Sequence, residues 1–339
     1  MTDKQENNKD QDNNKNSEYY FELGIRELDS GNNEEAIEAF NKAILANPDD
    51  PRSYNNLGIA YDLVEKYDEA REAYRKAIEL YPQNSSTLNN IAGVYLIDGH
   101  PFEALTLYDF AISMDPLNIG PYLNIARLFM ESHKFSSAES YLRKVLEIEP
   151  ENVEALNLIG VIKNLTERSE EAVEHFQNAL RSDSNQSSLF SNLGTALQAI
   201  GDYKRAIIAF EKAEELNPNN LSIINNLGVL YRETGFLDKA ENFFHLATKL
   251  YPDNPFPYYN IAELYIEKEE YEKALENLKK YISLVPLDMD NLFKTCGIAR
   301  MANRLIDVIQ EMHSFIEEAD ASDPRVDTVK QWLERVNNK

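Results

Sequence analysis

The sequence predicts an all-α protein: an α-solenoid of eight 34-residue helix-turn-helix repeats, then a degenerate ninth pair and a C-terminal capping helix. Three observations predict it. A pattern recurs every 34 residues from Ser17 to Asp288 with no insertion. Inside each copy the apolar residues fall at helical spacing. A proline closes seven of the eight copies.

Residues 51–84 show the unit most clearly. Tyr54, Leu57, Gly58 and Tyr61 share one face of a first helix, at i, i+3, i+4 and i+7. Glu65 and Lys66 make a short polar turn. Asp68 and Glu69 then sit near the positive N-terminal end of a second helix. Ala70, Tyr74, Ala77 and Ile78 form its inward stripe. Pro82 has no backbone donor and ends that helix. Gly58 and Ala70 are small because two helices cross closely only where one side chain yields to the other. One such pair buries too little apolar surface to offset its ordering entropy, so neighbours must stack.

The other copies keep register. The small residue of the first helix is Gly24, Gly58, Ala92, Ala126, Gly160, Gly194, Gly228 and Ala262. The large residue of the second is Phe40, Tyr74, Tyr108, Leu142, Phe176, Phe210, Phe244 and Leu278. Ser184 alone replaces the closing proline. A 34-residue period with this pattern resembles the tetratricopeptide-repeat family. The resemblance implies a right-handed superhelix with first helices lining its concave side, and a role in binding rather than chemistry.

In chain order, residues 1–16 are a polar stretch without periodicity, expected as a disordered tail. Eight repeats occupy 17–288. Repeat one carries Glu27 where others place an aromatic, as suits a unit with no preceding neighbour. Repeat five is least regular: Lys163 replaces the aromatic, and residues 181–188 (RSDSNQSS) form a weak connection, expected to be the most flexible. Residues 289–339 hold the last elements. Leu292, Thr295, Cys296 and Ala299, then Val308, Met312 and Phe315, trace the ninth pair. Ala321 to Pro324 start a final helix, whose Val326, Val329, Trp332, Leu333 and Val336 would cover the open end of the stack.

Lys plus Arg number 34 against 58 Asp plus Glu, a net charge of −24. Such a surface disfavours nucleic acid and anionic membranes as partners. No run of 18 apolar residues and no signal-peptide core occur, and the single Cys296 excludes an intrachain disulfide framework. Cytoplasm is the expected compartment. Phosphate-loop, dinucleotide and zinc-protease motifs are missing, and the five histidines are scattered, so no catalytic residue, metal or cofactor is expected.

In the family, repeat positions 2, 5, 6, 9, 12 and 13 face the groove. Position 6 here reads Asn56, Asn90, Asn124, Asn192, Asn226 and Asn260 in six of the repeats, with Leu158 interrupting in repeat five. An asparagine amide both donates and accepts, so it can clasp a peptide bond whatever side chain follows. The row resembles the asparagine ladder in the repeats of O-linked N-acetylglucosamine transferase; the same amides can instead bond between adjacent first helices. Arg52, Arg127 and Arg232 supply the groove's cations among more numerous carboxylates, and Leu123, Leu158, Phe256 and Tyr259 its apolar anchors. Arg52 with Asn56 and Asn90 matches two elements of the family's carboxylate clamp, but the third helix offers Gly120 where a cation belongs. The expected function is a non-enzymatic adaptor holding a neutral or mildly basic extended segment of another protein. The alternative is a homo-oligomeric assembly protein that self-associates through its convex face or C-terminal helix.

Overall fold

The computed structural model describes residues 2–285, 288–320 and 322–337. Among them lie nineteen α-helices, one 3-10 turn (Leu305–Val308) and no strand. Pro286 and Ala321, two of the expected helix punctuators, fall outside the described residues. The helices form two compact units, residues 1–162 and 163–339.

The first unit holds α1 (Thr2–Asp29), α2 (Asn33–Ala46), α3 (Pro51–Leu63), α4 (Tyr67–Leu80), α5 (Ser85–Ile97), α6 (Pro101–Met114), α7 (Ile119–Glu131) and α8 (Phe135–Ile148). The division falls within α9 (Val153–Leu165). The second unit holds α10 (Ser169–Ser182), α11 (Ser187–Ala199), α12 (Tyr203–Leu216), α13 (Leu221–Glu233), α14 (Leu237–Leu250), α15 (Pro255–Glu267) and α16 (Tyr271–Leu284). It ends with α17 (Met289–Met301), α18 (Ile309–Glu318) and α19 (Pro324–Asn337). In the first unit α1, α3, α5 and α7 each pack on the helix that follows, and successive members of this odd-numbered row also touch. In the second unit α11, α13 and α15 pack on α12, α14 and α16 respectively, and α13 also touches α15.

The small residues do what the spacing predicts. A β-carbon added to Gly58 would lie 2.5 Å from the Tyr74 ring, and one on Gly194 would lie 2.8 Å from Phe210. Each hairpin turns through one residue in the left-handed region. Glycine takes it at Gly31, Gly99, Gly201 and Gly235; Glu65, His133, Glu167 and Glu269 take it elsewhere. First helices are capped from the residue before them: Asp50, Asn84, Asn118, Asn220, Asn254 and Asp288 each accept a backbone N–H.

Helix α1 departs from expectation. It runs unbroken from Thr2, so the stretch expected as a disordered tail continues the helix. Residues 2–16 contain neither proline nor glycine. Lengthening an existing helix adds one hydrogen bond per residue without a new nucleus. Apolar periodicity marks only the part that packs, so it could not reveal this extension.

The connection after repeat five lacks both proline and cap. Gln186 precedes α11 and makes no cap bond. Asp183 closes the turn instead, accepting from the Asn185 backbone at 2.9 Å and from the Gln186 amide at 2.6 Å. These bonds hold its carboxyl below the usual range. Lys163 is 2 % exposed and its Nζ lies 3.0 Å from Glu171, which is half exposed. Replacing a buried charge by an apolar side chain of similar length costs little, whereas removing a partner leaves the charge undercompensated. Lys163→Met is therefore expected to hold or raise stability, and Glu171→Ala to lower it by about 1–2 kcal/mol. Urea unfolding of the two variants checks this; the reverse order would contradict it.

Candidate functional site: the asparagine row of the first helices

In the first unit the expected site residues lie on α3, α5 and α7, and the asparagines bond mainly to one another. Asn90 Nδ2 donates to Asn55 Oδ1 at 3.3 Å, and Asn124 Nδ2 donates to Asn89 Oδ1 at 2.9 Å. Both bonds join a first helix to the one before it. Asn89 Nδ2 in turn reaches Asn90 Oδ1 at 3.4 Å. Asn56 bonds within its own helix, to the Arg52 carbonyl at 2.9 Å. The geometry is a ladder of half-buried amides.

The second unit repeats the rung once. On α15, Asn260 Nδ2 donates to Asn225 Oδ1 of α13 at 2.8 Å. Asn192 on α11 and Asn226 on α13 are half-buried like the others. The Asn226 side chain has no hydrogen-bond partner among the described residues.

Sequence reasoning missed the acceptor half of this ladder. Asn55, Asn89 and Asn225 occupy position 5, and each receives a bond from position 6 of the next repeat, 35 residues on. The Asn-Asn pairs at 55–56, 89–90 and 225–226 were the available signal.

The cations divide by unit. Arg52 is held by Glu18 at 2.9 Å and by Asp50 at 3.0 Å, and its guanidinium lies 4.7 Å from the Phe21 ring centre. Those bonds, Glu18 first, hold its pKa above the ordinary arginine value. Arg127 donates to Asn124 Oδ1 at 2.7 Å and pairs with Glu154. Both first-unit arginines are thus spent on neighbours. Arg232 has no side-chain partner among the described residues, and beside it Glu233 accepts from Gln198 at 2.8 Å.

The apolar anchors divide differently. Leu123 belongs to the core, and Leu158 packs against that core, so neither is free to grip a ligand. Tyr259 packs toward the ninth pair: its ring lies 5.6 Å from Tyr281, and Lys294 of α17 donates to its hydroxyl at 3.3 Å while pairing with Glu263. Phe256 is 63 % exposed and remains available. Cys296 is fully buried, and burial pushes its thiol up to about 12. Among the described residues no group of three His, Cys, Asp or Glu side chains could hold a metal ion, and no helix is long and apolar enough to cross a membrane.

The family model for the cilia and flagella-associated protein 70 C-terminal domain matches residues 33–253, and a tetratricopeptide-repeat model matches residues 257–286. The chain belongs to this family of tetratricopeptide-repeat domains. No curated protein matches it. Among solved structures, this tetratricopeptide-repeat chain is similar to YrrB, described as a tetratricopeptide-repeat protein with an unusual peptide-binding site. Identity is 31 % over 55 % of this chain and 95 % of that one, at a TM-score of 0.47. The Cut9–Hcn1 hetero-tetramer of the APC/C matches 71 % of this chain and 48 % of its own at 21 % identity and a TM-score of 0.60. PilF of Pseudomonas aeruginosa matches 60 % of this chain and 92 % of its own at 21 % identity and a TM-score of 0.55. The last two likenesses are of fold. The tetratricopeptide-repeat fold supports a protein-interaction scaffold.

Proposed function

We propose that the chain is an adaptor that holds an extended, neutral or mildly basic segment of another protein along its first helices, by the segment's backbone. The observation that carries this reading is the half-buried asparagine row with hydrogen-bonding capacity left over. An amide offers two N–H donors and an oxygen with two lone pairs, and a ladder rung uses one donor of one member and one lone pair of the other. Pairing also fixes the amide's orientation, so less freedom remains to be lost when a peptide binds. The second unit suits this best, where among the described residues Asn226 and Arg232 have no side-chain partner and Phe256 is exposed.

The partner's charge follows from the surroundings. Glu233, Glu263 and Glu267 outnumber Arg232 on the same helices, which disfavours an acidic segment. The test uses a 12-residue peptide selected from a random library by the full-length chain. Asn192→Ala/Asn226→Ala is expected to weaken its binding by about tenfold or more with helicity unchanged, since two hydrogen bonds to a partly desolvated peptide are worth about 1–3 kcal/mol. Unchanged affinity would remove the asparagines from the reading.

A further inference from the structure

Helix α6 breaks the surface pattern of the other second helices. At the repeat position of Phe110, five of the seven others carry lysine, including Lys76 and Lys144 in the neighbouring repeats. At the position of Phe102, five of the seven carry Asp or Glu, including Asp68. Phe102 is 80 % exposed, Phe110 45 %, Met114 37 %, and Leu117 just beyond the helix 72 %.

The polar members of this face are turned inward on the helix itself. Thr106 Oγ1 donates to the Phe102 carbonyl at 2.9 Å, and Ser113 Oγ donates to the Phe110 carbonyl at 2.7 Å. Their hydroxyl donors are therefore satisfied, and between Phe102 and Met114 the exposed apolar side chains are interspersed only with the carboxylates of Glu103 and Asp109 as charged groups. Clusters of large exposed apolar side chains on single-chain proteins often serve binding. Among the described residues nothing buries them.

Charge selects the occupant. Residues 77–126 contain no lysine or arginine. On α6 and its following turn, Glu103, Asp109 and Asp115 are all exposed. The patch is thus apolar and bordered by carboxylates with no cation of its own. Phe102 and Phe110 lie eight residues apart, about 12 Å along the helix, which matches apolar positions two turns apart on a second helix.

We infer that the exposed face of α6 docks a basic amphipathic helix of a partner protein, separately from the asparagine row. A second copy of this chain fits poorly, because its net charge of −24 would set carboxylates against carboxylates.

The probe is a labelled 18-residue peptide of leucine and lysine patterned as an amphipathic helix, titrated into the full-length chain by fluorescence anisotropy. Phe102→Ser/Phe110→Ser keeps the charge and alters only exposed positions, so its circular dichroism should match wild type. The double variant is expected to bind the peptide at least about tenfold more weakly. Amide protection on binding should map to residues 101–117, and Asn192→Ala/Asn226→Ala should bind as wild type does. Equal affinity for the serine variant would overturn the inference. So would equal binding of a peptide with glutamate in place of lysine, or a wild-type dimer in sedimentation that the serine variant lacks.

Discussion

Trp332→Ala should be the most damaging single change in the C-terminal part of the chain, costing about 3–5 kcal/mol locally. Its ring is 8 % exposed and stacks on Phe293 at 5.4 Å, with the Arg300 guanidinium 5.7 Å from its centre. Phe293 in turn lies 5.8 Å from Phe315, which is fully buried. Removing the indole therefore opens a cavity shared by α17, α18 and α19. Because each repeat is stabilised mainly by its neighbours, the loss should stay near that end. Amide exchange across residues 289–337 is the direct readout. It should accelerate there while residues 203–250 keep wild-type protection. Uniform acceleration, or none, would show that α19 does not seal the stack.

Gly228→Leu should destabilise the second unit by about 1–3 kcal/mol or more. A side chain at this position points into the Phe244 ring, the large residue of the same hairpin, and Phe244 is fully buried with no room to retreat. The companion double variant Gly228→Leu/Phe244→Ala should recover part of the loss, since the new side chain then fills the vacated volume. Denaturant unfolding of wild type, Gly228→Leu, Phe244→Ala and the double variant measures the coupling. If the double variant is less stable than the sum of its parts, the ring and the glycine do not share one space.

Both predictions rest on features legible in the sequence. Gly228 and Phe244 stand out because their types recur at the same two places in other copies, and Trp332 because an apolar helix follows the last repeat. Periodicity reads packing well, because packing is what repeats. It reads individual pairings poorly. The partner of Asn90 is Asn55, one position off the row being followed, and nothing in a one-column reading leads from one to the other. Lys163 breaks the aromatic column of its repeat; the 34-residue period places α10 beside it but does not single out Glu171 as its partner. The arginines show the same gap. Arg52, Arg127 and Arg232 are equivalent as letters, yet carboxylates from other helices or loops neutralise the first two. Residues 2–16 carry no period at all, so their helix could not be anticipated.

On the proposed function, asparagine amides grip a partner's backbone rather than its side chains. The most direct measurement compares the library-selected peptide with a copy N-methylated at alternate backbone nitrogens and with a copy whose side chains are replaced singly by alanine. Loss of most of the affinity on N-methylation, with small effects from most alanine replacements, is the result expected. Full affinity of the N-methylated peptide, with one or two alanine replacements abolishing binding, would contradict it.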